Sequence, residues 1–506
     1  MTNLLYDRLL APHLGQDSVL MTTPDGMTLT HGAFLDMASQ MANALKDAGL
    51  KPGDRLAVQA AKSPQALALY AASIQSGVVF LPLNTAYTVA ELAYFIEDSG
   101  AAMVVCDPSM EDELTPIASQ QNAQVMTLDA KGQGRLTDAA MQQSTQFTPV
   151  DRAPDDLAAL LYTSGTTGRS KGAMLSQDNL LSNAETLVKT WQFTKDDHLI
   201  HALPIFHTHG LFVASNICFL TGCRMSFMPK FDLDQIIAAL PHATSMMGVP
   251  TFYTRLLDDP RLTPELTRNM RLFISGSAPL LAETHVQFED RTGHKILERY
   301  GMTETNMNTS NPYDGDRRAG TVGFPLDGVD IRITDPDTNK PLPRGEIGMI
   351  EVKGPNVFSG YWNMPEKTQE EFRDDGFFIT GDLGVIDDDG YISIVGRNKD
   401  LIIAGGFNIY PKEIELILDE QNGVKESAVI GIPHADFGES VIGVITLETG
   451  HQVDLEAMLE KVGASLARFK HPRRLVVVDE LPRNSMGKVQ KNILRDQFQS
   501  LLDETR

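Results

Sequence analysis

The run Leu160-Leu161-Tyr162-Thr163-Ser164-Gly165-Thr166-Thr167-Gly168-Arg169-Ser170-Lys171-Gly172 joins an apolar strand to a loop of glycines, hydroxyls and two cations, and a helix is expected to start at Ser176. Glycines let backbone N–H groups approach a polyphosphate, hydroxyls add donors, and Lys171 or Arg169 offsets charge on the outer phosphates. Thr163, Ser164, Gly165, Thr166, Thr167, Gly168 and Lys171 therefore form a candidate phosphate cradle. The order is not that of the G-x-x-x-x-G-K-[ST] loop, because Gly165 is followed by Gly168 and Lys171 comes after Ser170, so P-loop NTPase mechanics do not carry over. The competing reading, a flexible Ser/Gly linker, sits badly between a buried strand and a well-formed helix.

Upstream of this loop, helix-like periods alternate with short β-branched runs. Met37 to Leu45 and Ala66 to Ile74 fit helices, while Leu56 to Val58 and Val78 to Leu83 fit strands. The expected fold class is α/β, with layered α/β subdomains. From Gly345 onward the Gly and Asp-Gly punctuation of GEIGMIEVKG and FFITGDLGVIDDDGYISIVG predicts hairpins and a β-rich subdomain. Near Arg397 a last unit begins, with a strand at LIIA, a Gly-Gly loop, a helix from Pro411 to Asp419 and three further strand-like runs. At about 110 residues it is large enough for a small α+β domain of its own. The expected division is residues 1–398 and 399–506.

The chain has 506 residues and a net charge of −23, with 42% apolar and 22% charged residues, which excludes wholesale disorder. So acidic a surface repels phosphate backbones and anionic headgroups, so neither nucleic acid nor a membrane is an expected partner. Cys106, Cys218 and Cys223 form no paired motif, which argues against a disulfide framework or a zinc site. Asp7 and Arg8 interrupt any apolar signal core, and the longest apolar stretch, Ala66 to Leu83, is broken by Ser73, Gln75, Ser76 and Gly77; a cytoplasmic protein without a transmembrane span is expected. Residues 461–495 run against the overall charge, with nine Lys/Arg and two acids, and would steer an anionic substrate.

Five further segments follow the loop in order: Tyr300-Gly301-Met302-Thr303-Glu304, Thr380-Gly381-Asp382, Gly396-Arg397 with Lys399-Asp400, Gly405-Gly406-Phe407-Asn408-Ile409-Tyr410-Pro411, and Pro482-Arg483-Asn484-Ser485-Met486-Gly487-Lys488. Together with the loop they resemble the AMP-forming adenylate synthetases, the family of acyl-CoA synthetases, firefly-type luciferases and peptide-synthetase adenylation domains. The resemblance implies ATP, Mg²⁺ and coenzyme A. It implies that Glu304 holds Mg²⁺, that Thr303 and the loop orient phosphates, and that Tyr300 stacks on adenine beside Gly276-Ser277-Ala278. Ser277, Ala278, Glu298, Gly301 and Met302 complete the nucleotide pocket in this reading. Asp382 accepts from the ribose hydroxyls with Arg397 in support, and Lys488 bridges the attacking carboxylate and the α-phosphate, where a flexible ammonium neutralises developing charge. Lys399 matches the family's hinge. Through it a mobile C-terminal domain exchanges Lys488 for a pantetheine tunnel lined by Gly405, Gly406 and Phe407. The Pro482–Lys488 run also resembles acetylation sites of acyl-CoA synthetases, which makes a protein lysine acetyltransferase an expected partner acting on Lys488.

Arg299 stands immediately before Tyr300, and His207 lies in Leu203-Pro204-Ile205-Phe206-His207-Thr208-His209-Gly210, where the family lines its carboxylate pocket. With Arg169, these residues form the candidate substrate-carboxylate set. A fixed cation and an imidazole suit a second carboxylate rather than a fatty or aryl tail. In this the chain is similar to malonyl-CoA synthetases, which share the HTHG and ERYGMTET runs. Pairing of Arg299 with Glu298 or another acid is the competing reading. The expected activity is ATP-dependent formation of malonyl-CoA, with Lys488, Glu304, His207 and Thr303 as its catalytic residues. The alternatives are a methylmalonyl-CoA, short-chain or aryl-CoA ligase, an adenylation module charging a carrier protein, and a nucleotide sensor without catalysis.

Overall fold

The computed structural model describes residues 2–163, 170–404, 407–434, 438–466, 468–484, 487–499 and 501. In it the apolar stretch from Ala66 to Leu83 becomes a helix, Pro64–Ser76, followed by a strand, Val79–Pro82. Ser63 caps the helix by accepting from Ala66 N, Pro64 opens it, and Gly77 closes it at φ 70°. Leu67, Leu69 and Ile74 are buried, each contributing roughly 1.5–3 kcal/mol of hydrophobic stabilisation. Among the described residues no helix is long and apolar enough to cross a membrane.

The chain divides into two units, Met1–Asp330 with Val352–Phe378, and Ile331–Glu351 with Ile379–Arg506. The first unit is layered α/β. Its six-stranded sheet runs Gln124–Thr127, Met103–Cys106, Arg55–Gln59, Val79–Pro82, Leu157–Thr163 and Lys171–Ser176 in spatial order, parallel except at the last pair. That last pair differs from the expected strand–loop–helix. Lys171–Ser176 is a strand, antiparallel to Leu157–Thr163, with Thr163 opposite Lys171, and the helix Gln177–Thr190 still begins beyond Ser176. Ser176 and Asn179 form a capping box there. Residues 164–169 thus lie in sequence between two paired strands.

A nine-stranded sheet forms the other layer. Its parallel middle includes His198–His201, Ser245–Gly248, Leu272–Ser275 and Leu297–Met302, and Asn306–Ser310 adds an antiparallel hairpin arm at one side. The ends of these strands and the loops after them carry the candidate site of this unit.

The second unit holds most of a four-stranded sheet whose strands Phe378–Ile386 and Ile392–Arg397 are an antiparallel hairpin. It also holds a sheet built on the long antiparallel pair Val424–His434 and Gly438–Leu447. Both faces of that pair are covered. Val429, Val441 and Ile445 pack with the Pro411–Asp419 helix, while Ile430, Ile442 and Val444 pack with Leu494 and Phe498 of the Lys491–Phe498 helix. This is why the strand reads as a nearly unbroken apolar run rather than an alternating one.

Candidate active site

In the first unit the hairpin Leu297–Met302/Asn306–Ser310 presents Thr303 and Glu304 at its tip. The register shifts between Tyr300 and Gly301, and a Cβ on Gly301 would lie 1.9 Å from the Asn306 carbonyl oxygen, so this crossing accepts only glycine. Glu304 is buried and its Oε1 accepts from the Tyr361 hydroxyl at 3.1 Å. The same hydroxyl donates to Glu371 Oε2 at 2.6 Å, and Lys171 Nζ donates to Glu371 Oε1 at 2.9 Å while lying 4.0 Å from the Tyr361 ring centre. Burial acts to raise the Glu371 carboxyl pKa, and the hydrogen bonds from Tyr361 and Lys171 overcome it and hold it below the usual value. One hydroxyl proton thus serves two carboxylates, and the Lys171 and Lys367 ammonium groups lie against Glu371.

Strand alternation sends Glu298 and Arg299 to opposite faces. Glu298 faces His285, 3.4 Å away, and burial raises its carboxyl pKa. Arg299 therefore has no salt bridge to Glu298. Its side chain is 4% exposed, and its Nε and Nη2 make no hydrogen bond. The guanidinium lies on the turn after Leu272–Ser275, where a Cβ on Gly276 would stand 2.3 Å from Arg299 Cζ. Burial pulls the guanidinium pKa down to about 9, with Tyr253 acting against it.

Beside Arg299 stands the loop that follows His198–His201. His209 is buried, and its Nδ1 lies 3.2 Å from Ser277 Oγ while its Nε2 has no partner. Burial first, and then the charges of Arg299 and His207, push the His209 pKa well below the usual histidine value, so the ring stays neutral. His207 Nδ1 accepts from His209 N at 3.4 Å, and Thr208 Oγ1 donates to Asn306 Oδ1 at 2.6 Å. Ser277 holds φ at 71°, an uncommon conformation for a residue with a Cβ, in the turn that continues to Ala278. Tyr300 is buried and Met302 half-buried on the same hairpin. The first unit thus brings Arg299, His207, His209 and Ser277 into one neighbourhood, with Thr163, Lys171, Thr303 and Glu304 on the strands and the tip described above.

In the second unit Asp382 and Arg397 are register partners on the hairpin, joined by an Nε–Oδ1 contact of 2.8 Å, and Arg397 Nη1 also donates to the Thr380 carbonyl. Lys399 lies in the short turn Asn398–Asp400, and Asp400 accepts from Arg495 Nη2 at 2.6 Å. Lys488 is exposed on a turn closed by the Asn484 side chain, which accepts from Lys488 N, and by Arg483, which donates to the Gly487 carbonyl. Ser164, Gly165, Thr166, Thr167, Gly168, Arg169, Gly405 and Gly406, together with the side chain of Phe407, lie outside the described residues. Tyr361 and Glu371 were not among the residues expected from the sequence. Both sit in a Gly-Tyr-Trp and Glu-Glu-Phe context that carries no local mark of a phosphate site.

The sequence profile of the "AMP-binding enzyme" family matches residues 13–362, and that of the "AMP-binding enzyme C-terminal domain" matches residues 413–488. The chain belongs to this family, as an AMP-forming acyl-CoA synthetase, an acid–thiol ligase. It is similar over 99% of its length, and 99% of the other chain, to the structure of ATP-bound MatB from Rhodopseudomonas palustris, with 59% identity and a TM-score of 0.96. Among curated relatives, a malonate–CoA ligase of Arabidopsis thaliana is 34% identical, covering 89% of this chain and 79% of the relative. A feruloyl-CoA synthase of Amycolatopsis is also 34% identical, covering 94% of each.

Proposed function

We propose that this enzyme joins malonate to coenzyme A with ATP, releasing AMP and diphosphate, by way of malonyl-adenylate. The 59% match to MatB and the malonate–CoA ligase at 34% support this acid, and a feruloyl-CoA synthase stands at the same 34%. The pocket's charge separates the two. The observation that carries the reading is Arg299, a buried cation whose Nε and Nη2 have no partner among the described residues, with a neutral buried imidazole beside it. An aryl or alkyl tail would leave these donors unsatisfied in a dry site, whereas the distal carboxylate of malonate would take them.

The 163–171 loop, with Lys171, takes the phosphates, and Tyr300 stacks on adenine between the 276–278 turn and Glu298, Gly301 and Met302. Asp382 accepts from the ribose hydroxyls while Arg397 holds its carboxylate in place. Glu304, with Tyr361 at its oxygen, would hold Mg²⁺, which when bound supplies charge neutralisation for the phosphates. Thr303 and Arg169 orient the reacting groups. The proximal malonate carboxylate attacks the α-phosphorus as diphosphate departs, and the Lys488 ammonium offsets the charge gathering there. Rotation about Lys399 then withdraws Lys488 and brings residues 405–407 to guide the pantetheine thiol, which attacks the acyl carbon and expels AMP. His207 orients the distal carboxylate. Methylmalonate is the nearest competitor, since one methyl group in a pocket changes binding by only about 1–3 kcal/mol.

AMP release with CoA across acetate, malonate, methylmalonate, succinate and benzoate tests this. The reading expects malonate or methylmalonate to lead. Benzoate or acetate at equal or higher kcat/KM refutes it.

A further inference from the structure

Lys62 is a buried lysine that the proposed chemistry does not use. It precedes Ser63, the cap of the Pro64–Ser76 helix in the first layer, and its Nζ reaches across to the second layer. There it contacts His201 Nδ1 at 3.0 Å, the His201 carbonyl at 2.8 Å and the Leu203 carbonyl at 2.8 Å, and it lies 4.3 Å from the centre of the Phe227 ring. Among the described residues no carboxylate pairs with it.

The proton positions follow from the partners. His201 Nε2 lies 3.0 Å from the Gly210 carbonyl, which only accepts, and 3.1 Å from Ser215 Oγ, whose own proton goes to that same carbonyl at 2.9 Å. Nε2 therefore carries the hydrogen and Nδ1 presents a lone pair to Lys62. All three Lys62 partners are then acceptors, which matches the three N–H bonds of an ammonium. A neutral amine would set its lone pair against one of them. Burial holds this lysine's pKa well below the ordinary value, and against it the three acceptors and the ring face favour the charged form.

Together these contacts fix both ends of the loop that carries His207 and His209. Lys62 holds the carbonyls of residues 201 and 203 at its start, and the His201 ring holds the carbonyl of Gly210 at its end. We infer that Lys62 is a specificity-determining positioning residue: acting through His201, it sets the 202–210 loop so that His207 and His209 stand against Arg299 in register for a second carboxylate. The inference rests on the dicarboxylate reading. It adds a determinant that touches neither substrate.

The test measures kcat and KM for malonate, acetate and ATP in Lys62→Met, His201→Leu and His201→Gln, alongside wild type. A loop displaced by about an ångström costs roughly tenfold to a hundredfold, so Lys62→Met and His201→Leu should lose that much malonate-over-acetate discrimination through malonate KM. ATP KM and acetate kcat should stay within about twofold. His201→Gln supplies one acceptor and one donor in place of the ring nitrogens and should retain most of the discrimination, which a merely space-filling role would not predict. If Lys62→Met fails to fold, the Leu/Gln pair at residue 201 decides alone. Unchanged discrimination in folded Lys62→Met or His201→Leu overturns the inference, as does an equal loss on ATP and both acids. Wild type that does not prefer malonate to acetate would instead contradict the dicarboxylate reading itself.

Discussion

Replacing Arg299 by alanine isolates the step on which substrate choice depends. The guanidinium is buried, its Nε and Nη2 have no hydrogen-bond partner among the described residues, and burial lowers its pKa to about 9. Breaking a buried ion pair costs about 3–5 kcal/mol. At about 1.4 kcal/mol per tenfold, Arg299→Ala should lower malonate kcat/KM by roughly two to three and a half orders of magnitude. Acetate brings no second charge, so its turnover should change little or improve. His207→Ala should cost malonate less, because the imidazole contributes a hydrogen bond rather than a fixed charge. Steady-state kinetics on both acids checks this. A proportional loss on malonate and acetate would mean that Arg299 serves ATP or the fold, and the reasoning would be refuted.

Gly276→Ala sets a methyl group 2.3 Å from Arg299 Cζ and should lower malonate kcat/KM more than acetate kcat/KM, read by the same kinetics. Lys488→Ala should abolish malonyl-adenylate formation, followed as diphosphate release, while largely sparing thioester formation from supplied malonyl-adenylate. Lys399→Pro should show the converse, since fixing φ at a pivot blocks rotation without touching the adenylation residues. Enzyme acetylated at Lys488 should be inactive in AMP release until deacetylated, because acetylation removes the cation that the first step uses; full acetylation by mass spectrometry with undiminished activity would count against it.

The parts legible in the sequence were those set by local chemistry. Ser176 as a cap and Pro411 at a first helical position marked two helix starts, and the apolar runs after Lys425 marked strands. The strand Lys171–Ser176 was not legible. Its pairing with Leu157–Thr163 is made across the loop, and Lys-Gly-Ala-Met-Leu-Ser alone reads equally well as the approach to a helix. The pairing of Arg299 with Glu298 that the sequence left open is not made, because strand alternation turns Glu298 towards His285. Lys62 and Glu371 gave no signal, since each earns meaning only from a partner more than a hundred residues away. Lys62 meets His201 across a separation of 139, and Glu371 meets Lys171 across 200. In sequence both look like solvated charges at helix ends. Contacts of that range are a property of the packed layers rather than of any motif.

The most direct test of the account is competition between acids in one vessel. Wild-type enzyme is supplied with ATP, Mg²⁺, coenzyme A and equal concentrations of malonate and acetate, and the thioesters are weighed by mass spectrometry against AMP released. The account predicts malonyl-CoA as the dominant product, formed one for one with AMP. Acetyl-CoA in equal or greater amount, or AMP without a thioester, would contradict it.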